Sequence, residues 1–327
     1  MNSQGLQAAE RPACDVSIII VSFNTCDVTC SCLQSVYEHT DGCTFEIIVV
    51  DNGSLDGSAE RIAHDFPMVR LITNADNRGF AAANNQGMNV ARGRYLLLLN
   101  SDTVLLAGTL QRCIKYADSR KDIGVIGCKA LFPDGRWQCS YFRFPNLLSV
   151  LMQATGVSRV LERNRSSYFR YWGKVFQDEQ AVDVVAACFF LVRREVTESV
   201  GMFDEDFFMY GEEAEWCSRI ARHGWRIVYF PHASIIHIHG GSADQVEGKL
   251  TLAKRRGEIL FMHKARGPFY AWCANAIMTC GLVLRVPVWG VRIGWSALRQ
   301  ESTRSLVRTN FEILSFHLKG LLRPVWR

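Results

Sequence analysis

Several familiar signals are missing from this 327-residue sequence, and each absence narrows the choices. No Cys-x-x-Cys pairs occur among its 12 cysteines, which argues against a zinc centre or a disulfide framework. Cys128, Cys188 and Cys217 sit in apolar or helical runs, where cysteine behaves as a small hydrophobe. The thiols are therefore expected to be reduced. The first fourteen residues are polar and carry no apolar h-region, so the expected location is the cytoplasm. An uncharged stretch from Pro268 to Leu284 covers 17 residues, short of the roughly 20 that span a bilayer. No Gly-x-Gly-x-x-Gly follows the first apolar run, which argues against a dinucleotide oxidoreductase. Ser22-Phe-Asn-Thr-Cys26 is not the glycine-rich loop that a nucleotidyltransferase would carry there. The net charge of +5 is mild, and no basic stripe interleaved with aromatics appears in the first 240 residues, so no nucleic-acid partner is expected. There is no internal repeat.

What is present is an ordinary globular composition, 48% hydrophobic and 21% charged. That suffices for one large domain, or one domain with an appendage. Short β-branched or leucine-rich runs recur: Val16–Ser22, Phe45–Val50, Val69–Thr73, Arg94–Leu99 and Ile123–Cys128. Helical patterns separate them, from Asp27 to Glu38, Gly57 to Phe66, Gly79 to Ala91 and Leu106 to Ser119. Alternation of this kind predicts an α/β fold around a mostly parallel sheet. Ligands of such sheets bind outside the carboxyl ends of the strands. Three runs end there in polar residues: Ser22-Phe-Asn24, Asp51-Asn52 and Asn100-Ser101-Asp102. Residues 133–178 read as irregular. Val182–Val192 reads as a strand entering a helix, Glu212 to His223 as a helix, and Trp225–Tyr229 and Ile235–Ile238 as two short strands.

Each polar group has two readings. Asp51 can accept hydrogen bonds from a ribose or base edge, or simply begin an Asp-Asn-Gly-Ser turn. Asp102 can bind a hard cation that bridges diphosphate oxygens, or cap the following helix. Glu212, Glu213 and Glu215 can include a general base, or only complement a helix dipole. His237 and His239 lie two apart, so they point the same way from a strand and can complete a metal site. Gly240-Gly241 after them would allow a closing loop.

Together the motifs resemble the inverting family 2 glycosyltransferases of GT-A fold, and within them the rhamnosyltransferase-like members. The resemblance spans about residues 15 to 245. It rests on six ordered blocks: Val16–Asn24, Val49–Ser54, Asn77–Gly87, Gly93–Thr103, Phe203–Trp216 and His237–Ser242. It implies a GT-A catalytic domain over 15–248, after a disordered lead-in over 1–14 and before a helical extension over 249–327. Asp51 would then contact the nucleoside, with Ser22, Asn24, Asn77, Gly79, Asn84, Asn85, Asn100 and Ser101 around the donor. Asn100-Ser101-Asp102 stands for the family's DxD motif, so Asp102 and His237 would hold Mg2+ or Mn2+. Glu213 stands where the family usually has the aspartate of a Glu-Asp pair, and would be the base, with Glu212 sharing the work. Glutamate is one methylene longer, a displacement on the order of an ångström. Ala186-Ala187-Cys188 also departs from a pattern with glycine, and its extra methyl would narrow the acceptor side.

The resemblance implies transfer of L-rhamnose from dTDP-rhamnose to a glycan or a polyprenyl-diphosphate-linked acceptor in surface polysaccharide synthesis. A different UDP- or GDP-sugar donor, or a nucleotide-sugar-binding subunit without turnover, are the alternatives. Residues 268–295 read as an interfacial membrane contact, or as a helix packed on the catalytic domain or a second copy. The first of these would place the enzyme at the inner face of the plasma membrane.

Overall fold

The computed structural model describes residues 13–157, 175–238, 247–286 and 301–322. The first strand, β1 (Cys14–Ser22), lies inside the sheet, and its near-unbroken apolar run suits burial on both faces. Beside it run β2 (Phe45–Asp51), β3 (Arg70–Thr73) and β4 (Gly93–Asn100). Their crossovers are helices α1 (Cys26–His39), α2 (Ser58–Asp65) and α3 (Phe80–Val90). The order β3-β2-β1-β4 is parallel throughout, as the alternating pattern predicts.

The second half of the chain departs from that regularity. It contributes β5 (Thr103–Leu105), α4 (Thr109–Ser119), β6 (Ile123–Leu131), β7 (Trp137–Gln138) and β8 (Tyr141–Phe142). Then come α5 (Leu147–Thr155), β9 (Gln180–Ala181), β10 (Val184–Val185), β11 (Phe189–Arg193), α6 (Arg194–Val200), α7 (Glu212–Arg222) and β12 (Arg226–His237). The sheet continues β4-β11-β6-β12-β5, with β11 antiparallel to both neighbours and β6 parallel to β12.

Four local readings change. The stretch after Asp102 is a three-residue strand, β5, before α4 begins at Thr109. The region read as irregular contains α5, announced by a capping box in which Asn146 accepts from Ser149 N and Ser149 Oγ accepts from Asn146 N. Val182–Val192 holds β10 and most of β11, and the helix follows only at Arg194. The two strands expected over 225–238 are one, β12, with a register shift between Phe230 and Ser234.

Side chains alternate cleanly between two cores. Ile18, Ile20, Leu97 and Leu99 join one, packed under α1 and α4. Ile19, Leu96 and Leu98 join the other, which also holds Phe190, Trp216 and Phe261. Three helices complete this second layer: α8 (Glu247–Arg266), α9 (Pro268–Val283) and α10 (Glu301–Leu322). Their residues Ile259, Met262, Ala274, Met278 and Leu314 belong to the same buried cluster as the sheet. All 12 cysteines are free thiols. No helix among the described residues is long and apolar enough to cross a membrane.

Candidate active site at the carboxyl ends of the strands

Parallel pairing fixes which polar residues meet. The register sets Ser22 beside Asp51 and Val21 beside Asn100. All three expected strand ends therefore open on the same edge. Asp51 is 3% exposed; its Oδ2 accepts from Ser54 N at 3.1 Å, while Oδ1 is buried without a hydrogen-bond partner. Leaving such an acceptor unmet costs about 1–3 kcal/mol, which a ligand donor would recover.

The loops around Asp51 are tied together through Asn52, which the sequence places at the same strand end without assigning it a role. Its Nδ2 donates to Asn77 Oδ1 (2.9 Å) and Gly79 O (3.3 Å). Its Oδ1 accepts from Asn74 Nδ2 (3.0 Å) and Arg78 N (3.1 Å). An amide placed one residue past a strand-end carboxylate was the available signal. Asn24, at φ 51°, bonds both ways with the 51–55 turn: its N donates to Ser54 Oγ, and its Oδ1 accepts from Leu55 N.

Three residues expected around the donor are turned into the protein instead. Ser22 is fully buried, its hydroxyl shared with Thr25 and Thr29. Asn84 donates to Phe80 O. Asn85 donates to Phe203 O and Glu205 and accepts from Phe203 N. These contacts hold α3 and the 203–205 segment together. Gly79, at φ 86°, allows a close approach: a Cβ there would lie 2.6 Å from Phe208 O. Ser101 is buried, with its hydroxyl 3.4 Å from Thr25 Oγ1.

Asp102 and His237 do meet. The imidazole Nε2 lies 3.2 Å from Asp102 Oδ1, and 3.4 Å from Asn100 Nδ2. On its other side, Nδ1 lies 3.1 Å from Gln138 Oε1, which can only accept. With Nδ1 donating to Gln138, the neutral imidazole would present its Nε2 lone pair on the Asp102 side. A carboxylate oxygen and an imidazole lone pair facing each other suit a divalent cation between them. No cluster of three His, Cys, Asp or Glu side chains with metal-binding spacing occurs among the described residues, so any further ligands come from elsewhere. His239, Gly240, Gly241 and Ser242 lie outside the described residues.

The three glutamates of α7 separate by environment. Glu215 is claimed by Arg219, whose Nε lies 2.8 and 2.9 Å from its two oxygens. Glu212 Oε2 and Glu213 Oε2 are buried with no hydrogen-bond partner. Burial pushes both carboxyls above their ordinary range, and the Glu213 charge pushes Glu212 further. Backbone N–H groups at the helix start act the other way on each of the two carboxyls. Cys188 lies within electrostatic reach of both Asp102 and Glu213. Burial, then Asp102, pushes its thiol up to about 12. Its carbonyl accepts from Asn100 N and Thr103 Oγ1, so the expected acceptor-side residue is joined to the Asp102 loop.

Comparison with known proteins identifies the family. The model of the family described as Glycosyl transferase family 2 matches residues 17–201, more than half of the sequence. The chain belongs to glycosyl transferase family 2. It is 26% identical over 227 residues to an N-acetylglucosaminyl-diphospho-decaprenol L-rhamnosyltransferase of Mycobacterium tuberculosis, covering 66% of this chain and 74% of that one. It is 30% identical over 235 residues to the O-antigen biosynthesis protein RfbC of Myxococcus xanthus, covering 69% of this chain but 17% of that one. Among solved structures, a mannosyltransferase from Pyrobaculum calidifontis in complex with GDP-Man and Mn2+ superposes with a TM-score of 0.55 at 17% identity. That alignment covers 99% of this chain and 92% of that one, and it shows the GT-A fold. The family 2 match stops before α7 and β12, so Glu213 and His237 stand on the geometry described above.

Proposed function

We propose that this glycosyltransferase moves a sugar, with inversion, from a nucleoside diphosphate donor to a hydroxyl of a lipid-linked glycan in surface polysaccharide synthesis. One observation carries the reading: a half-buried carboxylate and a buried one, with opposite surroundings, lie around Cys188. Asp102 has an imidazole partner suited to a cation, and Glu213 has an oxygen with no partner at all. Asp51 Oδ1 would take a ribose or base-edge donor, with Asn24, Asn77 and Gly79 shaping the loops around it. Asp102 and His237 would hold Mn2+ or Mg2+, which when bound offsets the charge of a departing diphosphate.

Glu213 Oε2 would accept the proton of the acceptor hydroxyl as that oxygen bonds to the anomeric carbon. The bond from that carbon to the diphosphate oxygen breaks on the opposite face. Glu212 stays protonated beside it, which keeps a second negative charge out of the pocket. The name of the Mycobacterium tuberculosis relative supports L-rhamnose as the sugar and a polyprenyl-diphosphate glycan as acceptor, with dTDP as the carrier that the family resemblance implies. An acceptor of that kind suits the uncharged α9, which packs on α5 and exposes Phe269 and Trp272, while α5 exposes Leu148 and Leu151. These side chains would rest in the headgroup region of a bilayer; residues 287–295 of the expected contact lie outside the described residues.

The test is transfer by the purified protein over a panel of dTDP-, UDP- and GDP-sugars with Mn2+ or Mg2+, with and without a polyprenyl-diphosphate glycan. Turnover of one donor, lost in Asp102→Ala and Glu213→Gln, supports the reading. Nucleotide binding without turnover on any pair selects a binding subunit. Folded protein that binds neither nucleotide sugar nor metal overturns it.

A further inference from the structure

We infer that helix α8, far along the chain from the nucleotide-side motifs, is a positioning element for the Glu212–Glu213 pair, and that Gly257 is its positioning residue. The inference deepens the proposed role of Glu213. It starts from a cost. Gly257 stands inside a 20-residue helix, where glycine is less favourable than alanine. The reason lies across the contact. A Cβ on Gly257 would fall 1.8 Å from Tyr210 O and 2.8 Å from Tyr210 C. From the other side, a Cβ on Gly211 would fall 3.0 Å from Gly257 O. The two backbones touch with no side chain between them.

The turn held there is strained. Tyr210 and Gly211 are consecutive left-handed residues, at φ 70° and 99°, and Tyr210 lacks glycine's freedom. Such a conformation persists where its surroundings over-determine it. Glu212 and Glu213 follow at once, as the first two residues of α7. Helix α8 grips this segment at three places. Lys254, three residues before Gly257, sets its ammonium 4.8 Å from the Tyr210 ring centroid. Gly257 meets the turn itself. Lys264 pairs with Asp204 at 2.7 Å and with Asp206. Phe207 packs in the same buried cluster as Ile259 and Phe261. The direction of both carboxyls is thus set by a helix outside the family 2 match.

Gly257→Ala in the full chain tests this. Ordinary contact begins near 3.4 Å, so the new methyl must part helix and turn by more than an ångström. A displacement of about 1 Å costs roughly 100-fold in rate. The expected result is that fall in kcat, with nucleoside diphosphate affinity far less affected. The carboxyl titration of the pair, followed by 13C NMR, should shift down towards the ordinary carboxylate range as water enters. That second readout needs no donor, so it stands even if no sugar is turned over. Lys264→Gln, which frees the other end of the grip, should move the titration the same way and lower kcat several-fold. A folded Gly257→Ala with wild-type kcat and titration overturns the inference. If that variant does not fold, wild-type kcat and titration in Lys264→Gln overturn it.

Discussion

The two halves of the site treat their polar groups in opposite ways. On the β1–β2 side, amides and hydroxyls are consumed by one another: the Asn52 side chain alone makes four hydrogen bonds, and Asn74 and Gln86 exchange two more. One buried oxygen is left over, on Asp51. On the α7 side, two adjacent buried carboxylates each keep an oxygen without a partner, behind a strained turn. A saturated network rigidifies its surroundings, which suits the nucleotide pocket proposed there. Unmatched carboxyls raise basicity where a proton must be taken. Stability is invested on one side and given up on the other, which is how sites commonly depart from local rules.

Glu213→Gln should break the comparison most strongly. It removes the proposed base and keeps the shape, so kcat should fall by about 10²–10⁴. Thermal stability should hold or rise, because an unmatched carboxyl has been removed. A stable variant retaining wild-type kcat would take Glu213 out of the chemistry. Asn52→Ala should do the reverse. It strips partners from Asn74, Asn77 and Arg78 N, and should cost about 1–3 kcal/mol in urea unfolding. Donor affinity should fall with it while the pH dependence of kcat stays put. Unfolding within error of wild type would show that the hub is replaceable by water.

The first half was also the more legible in sequence, for the same physical reason. Strands β1, β2 and β4 carry long buried runs and their crossovers are short, so apolar runs and turn residues marked them directly, while β3 lies half-exposed at the edge. Ser22, Asp51 and Asn100 then had to share an edge once pairing was parallel. Partner choice was not legible: nothing local tells that Asn85 faces Phe203 or that Ser22 turns inward, because those partners lie far along the chain or around a corner. The second half hid more. β11 enters antiparallel between β4 and β6, and β5 is only three residues long. The Glu-Glu-Ala-Glu run suggested a base without saying which glutamate. Only the structure shows Arg219 occupying Glu215, and Gly257 pressed against the turn.

The smallest expected effect is the most direct measure of what the α7 side gives up. Glu212 has an ordinary carboxyl value of 4.5, raised well above it in the fold by burial and then by Glu213. Tyr210, whose own hydroxyl is pushed up first by burial and then by both glutamates, adds no charge to relieve it. The folded chain therefore binds this proton more tightly than the unfolded one. As pH rises from 4.5 towards the raised value, the unfolded chain ionises first, so stability falls across that window and stays lowered above it. Glu212→Gln is neutral at every pH and escapes the fall. Its melting temperature should exceed wild type by more at pH 8 than at pH 5, and its kcat should drop less than that of Glu213→Gln. If the advantage instead shrank towards pH 8, Glu212 would be stabilising the fold as a charge. Both halves of the site would then be saturated networks, and the comparison would fail.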